Sequence, residues 1–191
     1  MDRIEPAQTD GADLADQVEL RPVGLDDYPS VRYVHATAFR LLAAAHFDEG
    51  EIKAFLKHVY SPLYVEMLRH QNLCAVWLGG EMIGTAAWSP ANDGGGMARI
   101  RSIYVRPPFA GFGLGRFLVR HMEDDARAAG FGAFLVRAPA NAVGFFEQLG
   151  YRVATHGIRT LASNRALPVA FMRKRDPQRP TQPWLVTGNR I

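Results

Sequence analysis

The segment Ser102-Ile103-Tyr104-Val105-Arg106-Pro107-Pro108-Phe109-Ala110-Gly111-Phe112-Gly113-Leu114-Gly115-Arg116 decides how this 191-residue chain is read. Residues 99–105 alternate and are rich in β-formers, so they make a strand, and Pro107 and Pro108 end it because proline brings no N–H to a ladder. Leu114, Phe117, Leu118, Met122 and Ala126 then recur at helical spacing up to Gly130. Between strand and helix, glycines stand at 111, 113 and 115. Without side chains the backbone there can curve and present successive N–H groups, backed by the positive end of the helix. Arg116 adds a cation at the rim. Such a loop can hold a pyrophosphate, so a phosphate-bearing ligand follows from it, though not which one. It is not a P-loop, because Gly115-Arg116-Phe117 lacks the closing Lys-Ser or Lys-Thr pair. Nor is it a dinucleotide fingerprint: the glycine spacing differs, and the next strand ends in Arg137-Ala138-Pro139 rather than an acidic residue.

Working outward, residues 18–23 form a first strand, Asp26 or Asp27 caps a helix with Pro29 in its first turn, and Val31, Val34, His35, Ala38, Leu41 and Leu42 share its face. A helical stretch over 49–70, with Ile52, Phe55, Leu56 and Val59 on one stripe, is split at Pro62. Residues 73–78 and 82–88 pair across Gly79-Gly80-Glu81 as a hairpin, and 91–96 make a second turn. After the central helix come a strand at 134–136, a short helix capped by Asn141 and bearing Phe145, Phe146 and Leu149, and strands at 151–155 and 169–173. This order gives a mixed α/β sheet of the α+β type, not strict βαβ alternation.

Three features together resemble the GNAT (GCN5-related) N-acetyltransferase superfamily. They are the Val-x-Pro strand end with its Gly-x-Gly-x-Gly loop, the run Asn141-Ala142-Val143-Gly144-Phe145-Phe146-Glu147-Gln148-Leu149-Gly150-Tyr151, and the closing Ala170-Phe171-Met172-Arg173-Lys174. The resemblance covers 18–175. It implies a mostly antiparallel central sheet of about seven strands with helices on both faces. It implies acetyl-CoA as cosubstrate, without a metal, and transfer of the acetyl group to a primary amine by direct attack. The pyrophosphate would lie on Gly111, Phe112, Gly113, Leu114, Gly115 and Arg116. The pantetheine arm would pair with the strand at Ile103, Tyr104 and Val105, and Asn141 and Phe146 would line its far side.

Several positions depart from the family pattern. Ala110 replaces a frequent Arg or Gln, Phe146 replaces a frequent proton-donating tyrosine, and Arg99 and Arg101 stand where some members carry a glutamate base. A guanidinium remains protonated and cannot be that base. No catalytic residue is assigned. Ser102 and Tyr104 read first as packing residues. His35 and His46, in the helical region that forms part of the family's acceptor site, read first as hydrogen-bonded or solvated side chains. Arg99 and Arg101 share one strand face and could hold a carboxylate or phosphate, but read first as solvent-facing. Tyr33, Phe47, Tyr60, Tyr64 and Trp88 could wall an acceptor pocket, or be core.

Composition sets the outer limits. The single Cys74 excludes an internal disulfide or a cysteine-based zinc site, and no apolar run reaches the roughly 20 residues that span a bilayer. With no signal-like start, a cytoplasmic location is expected. Net charge is +3, yet residues 1–30 carry eight acidic residues against Arg3 and Arg21, while 152–191 carry eight basic ones against Asp176. Residues 1–17 are expected to be a disordered acidic arm and 176–191 a proline-containing tail. Arg173, Lys174 and Arg175 read as the surface end of a strand, so nucleic acid ranks last among partners. A homodimer stays open. The alternative to an enzyme is a binding or regulatory module that keeps the CoA pocket without turnover.

Overall fold

The computed structural model describes residues 17–91, 96–161 and 165–176. The acidic arm and the tail therefore lie outside the described residues, apart from Gln17 and Asp176, as does most of the turn at 91–96. Seven strands form one sheet: β1 (Glu19–Pro22), β2 (Asn72–Leu78), β3 (Glu81–Pro90), β4 (Met97–Val105), β5 (Ala133–Pro139), β6 (Arg152–Thr160) and β7 (Ala166–Arg175). Their spatial order is β1-β2-β3-β4-β5-β7-β6, and every pairing is antiparallel except β4 with β5. The expected sheet is the observed one.

Helices cover both faces. On one side α1 (Tyr28–Leu42), α2 (Glu49–Val59) and α3 (Pro62–Arg69) bury Val31, Val34, Phe39, Phe55, Val59 and Leu68 against β2 and β3. On the other, α4 (Leu114–Ala128) buries Leu114, Leu118, Val119, Met122 and Ala126, joined by Phe146 of α5 (Val143–Glu147). The break at Pro62 is built from caps. Ser61 accepts from the Tyr64 amide at 3.3 Å, and its hydroxyl donates to the His58 carbonyl at 2.7 Å. Asp48 and Glu51 form a reciprocal capping box at the start of α2.

Some local expectations hold only in part or fail. Asp27 is the N-cap residue of α1 and Pro29 lies in its first turn, but the Asp27 carboxylate accepts from the Gly24 amide at 2.9 Å rather than from the helix, because a short 3-10 turn at Leu25–Asp27 intervenes. Asn141 does not cap α5; Ala142 holds that place, and the Asn141 amide reaches back to the Leu42 carbonyl at 3.4 Å. Leu41, Leu42 and Phe117 continue apolar periodicities, yet are largely exposed at the ends of their stripes. Asp176 is only 7% exposed, and its carboxylate receives the Arg127 guanidinium at 2.6 Å. Lys174 is not a free surface cation either, since it donates to the buried Glu123 at 2.6 Å.

Candidate active site

Strand β4 runs beside β5 only from Met97 to Arg99, opposite Ala133 to Leu135. Past that point β5 stays with β7 as far as Pro139, while β4 stays with β3 as far as Val105. The sheet thus opens like a fork, and residues 100–105 have no strand partner on the β5 side. A bulge sharpens the opening. Thr85 faces Tyr104 and Ala87 faces Arg101, so Ala86 stands opposite both Ser102 and Ile103. Ser102 takes φ of 55°, the one non-glycine residue in the left-handed region among the described residues. Its strained turn is tied down by the Ser102 hydroxyl on Gln71 Oε1 and by the Thr85 hydroxyl on the Ser102 carbonyl, both at 2.8 Å.

A cavity of about 270 Å³ fills the fork. Ile103, Tyr104, Val105, Asn141 and Phe146 all line it, so five of the residues read from sequence converge there. The glycine loop lies beyond the end of the same strand. Gly111 and Gly113 have φ of 90° and 83°, and a Cβ at either would meet nothing within 4 Å. Gly113 directly precedes α4, leaving the first amides of that helix open. Phe112 and Arg116 are exposed, whereas the Leu114 side chain is core and only its amide can serve the loop. Arg116 shares a second, shallow cavity with Gly113, Phe117, Arg120, His121 and Asp124.

Other candidates are redistributed. Arg99 and Arg101, read first as solvent-facing, line the fork, as do Ser102 and Tyr64. Tyr33 and Tyr60 are more than half exposed and Phe47 and Trp88 are core, so these four do not wall the cavity. His46 is exposed and outside it. His35 is fully buried behind Tyr104, ring centroids 4.1 Å apart. Burial, aided by Arg159, lowers the His35 pKa to about 3. The Thr85 hydroxyl donates to Ser102, so it accepts from His35 Nε2 at 2.7 Å, leaving Nδ1 to accept from the Tyr64 hydroxyl at 2.6 Å. Both imidazole nitrogens are thereby engaged, and His35 is a structural relay rather than a free base. The Tyr64 hydroxyl is thereby hydrogen-bonded, and burial raises the pKa values of both Tyr64 and Tyr104, keeping them protonated.

Sequence reading missed Arg137 and Arg159, which also line the fork, from β5 and β6. Neither had a local signal, because their strands reach the site only through the sheet order. Among the described residues no cluster of three or more His, Cys, Asp or Glu is placed to hold a metal ion, and no helix is long and apolar enough to cross a membrane.

Known proteins share this frame. The GCN5-related N-acetyltransferase from Rhodopseudomonas palustris superposes with a TM-score of 0.72 at 23% identity, over 82% of this chain and 94% of that one. The PaiA N-acetyltransferase of Thermoplasma acidophilum, solved in complex with coenzyme A, gives 0.63 at 16% identity, over 83% and 98%. A Bacillus subtilis protein provisionally described as an acetyltransferase is 29% identical over 82 residues, 43% of this chain. The chain spans about half the length of the curated relatives it matches. The sequence profile of the acetyltransferase (GNAT) family matches residues 37–151, a span that takes in the fork, the glycine loop and the Leu149-Gly150-Tyr151 turn. By that match over more than half its length, with a forked seven-stranded sheet to go with it, the chain belongs to the GNAT family.

Proposed function

We propose that the protein is an acetyl-CoA-dependent N-acetyltransferase whose acceptor amine enters the fork between β4 and β5. The observation that carries this reading is the unpaired β4 edge, residues 100–105, running directly into the open amides of the glycine loop. An unpaired edge in mid-sheet leaves main-chain polar groups unsatisfied. An amide-rich arm laid along Ile103, Tyr104 and Val105 satisfies them, and a diphosphate suits the amides of Gly111 through Arg116.

A second feature fits the same ligand. Asn141 Oδ1 is buried on the fork and has no hydrogen-bond donor. A buried acceptor without a partner costs about 1–3 kcal/mol, and an amide N–H of the arm would supply the missing bond. Phe146 offers that arm an apolar wall and no proton.

The chemistry asked of the protein is limited. The neutral amine nitrogen bonds to the thioester carbonyl carbon, the C–S bond breaks, the thiolate takes up a proton, and the nitrogen gives one to solvent. A β4 main-chain N–H steadies the charge that develops on the carbonyl oxygen. Among the described residues that line the fork there is no carboxylate or histidine to act as base. The Tyr104 hydroxyl, kept protonated by burial, is suited to donate rather than accept. Proton removal through water is the assignment, and selection rests on positioning.

Calorimetric titration with acetyl-CoA tests the reading. Wild-type protein is expected to bind it, and Gly113→Glu, which pushes a carboxylate into the phosphate cradle, is expected to bind at least about tenfold more weakly. Equal binding by both would sink the assignment. Binding by wild type without thiol release, over a broad amine panel, would leave a CoA-holding module instead of an enzyme.

A further inference from the structure

We propose that Arg99, Arg101, Arg137 and Arg159 form a recognition site for an oxyanion group, a carboxylate or phosphate, carried by the acceptor amine. This rests on the function proposed above and names its substrate class. The four side chains come from β4, β5 and β6 and meet on one cavity, whose lining among the described residues contains no aspartate or glutamate. Among the described residues none of the four is ion-paired. Burial, with the charges of Arg99, Arg159 and Arg137, pulls the Arg101 pKa down to about 10, and Arg137 is lowered by burial, Arg99 and Arg159. Both remain charged at neutral pH, so the cavity gathers positive charge that no carboxylate among the described residues compensates.

The cluster is also held in place. Arg159 lies over the Phe55 ring at 6.0 Å and donates to His58 Nε2 at 3.3 Å. Arg137 lies over Phe171 at 5.5 Å. Fixing guanidinium groups before a ligand arrives lowers the ordering entropy of binding. Position favours the acceptor over the acyl group as the source of the anion. Arg159 packs on Phe55 and reaches His58, whereas the cosubstrate reading uses the main chain of Ile103, Tyr104 and Val105 with Asn141 and Phe146. The same charge has a second consequence. Neighbouring cations favour the neutral form of an amine, the form that attacks. Polycationic acceptors are repelled by the site, and acidic monoamines are drawn to it.

The test begins without turnover. Glutarate and inorganic phosphate are titrated into the full chain, with thermal midpoint and calorimetric heat as readouts, beside the double variant R101M/R159M. Saturable stabilisation of wild type is expected, weakened at least about tenfold in the variant. Arg137→Met, at an exposed position, is expected to weaken glutarate binding about threefold and serves if the double variant does not fold. No saturable effect on wild type, or identical curves for wild type and variants, overturns the proposal. Turnover then separates the sources of the anion. With acetyl-CoA, phosphoethanolamine and β-alanine are expected to be acetylated faster than ethanolamine and β-alaninamide, with the advantage lost in R101M/R159M. If instead the variant loses affinity for succinyl-CoA and not for acetyl-CoA, the anion belongs to the acyl group and the acceptor assignment falls. Acetyl-CoA titration of the same samples keeps the two readings apart. Anion binding without CoA binding sinks the transferase and with it the acceptor assignment, leaving only an anion site, and CoA binding without anion binding sinks this inference alone.

Discussion

Two charged clusters lie on different walls of this molecule, and they are built on opposite plans. On the α4 wall, Glu123 is 2% exposed and accepts from the Tyr151 hydroxyl at 2.9 Å, from Lys174 at 2.6 Å and from Arg127 at 3.4 Å. Arg127 also reaches Asp124 and Asp176. Each cation there is paired with a carboxylate, and the cluster locks the end of α4 to β7. In the fork, four arginines meet with no carboxylate among the described residues of the lining. Removing one partner of a buried pair strands the others, whereas removing one cation from an uncompensated set relieves repulsion. The contrast separates charge that holds the fold from charge that awaits a ligand.

The strongest blow to that contrast is struck at Glu123. Glu123→Ala leaves Lys174, Arg127 and the Tyr151 hydroxyl without their shared acceptor, and a loss of about 3 kcal/mol is expected in urea unfolding. An effect below about 1 kcal/mol would mean that the matched cluster is not structural.

Next in size is the acid limb. The folded-state pKa of His35, about 3, lies below its ordinary 6.5, so between those values the unfolded chain binds the extra proton. Stability is therefore fully present above pH 6.5 and falls on acidification through that window, at up to about 1.4 kcal/mol per pH unit. His58 is shifted the same way by burial and Arg159. Urea midpoints across mildly acidic pH should decline steeply in wild type and less steeply in His35→Gln. Parallel slopes would show that His35 is not held neutral.

A smaller effect of opposite sign is expected in the fork. Arg101→Met should raise unliganded stability by about 1 kcal/mol, a figure discounted for the part of the side chain that solvent still screens. A destabilised variant would mean that Arg101 is already compensated. Smallest is Arg106→Ala. Its partner Glu81 is 68% exposed at 2.7 Å, and such a pair is worth about 0.5 kcal/mol. Should it rival Glu123→Ala, pairing alone rather than burial would set the strength of the matched cluster.

Local sequence carried the elements well. The Gly79-Gly80 hairpin, the split at Pro62 and the amphipathic α4 each follow from turn residues or spacing, and each stands where its residues put it. Asn141 shows the limit of local rules. It has the chemistry of a helix cap, yet its side chain turns to α1 and the fork. Ser102 shows another. Nothing in a serine on a β-rich strand announces a left-handed bulge, which arises because β3 and β4 must pair with one residue extra.

By itself the sequence determined the order of strands and helices, the glycine loop and the family, because backbone conformation and apolar periodicity are written within a few residues of where they act. Tertiary structure alone decided which charges meet. Arg137 and Arg159 are separated by a helix and a strand turn in the chain, and only the β4-β5-β7-β6 order brings them to Arg99 and Arg101. Electrostatic energy depends on distance through space, and that distance is set by the folded sheet.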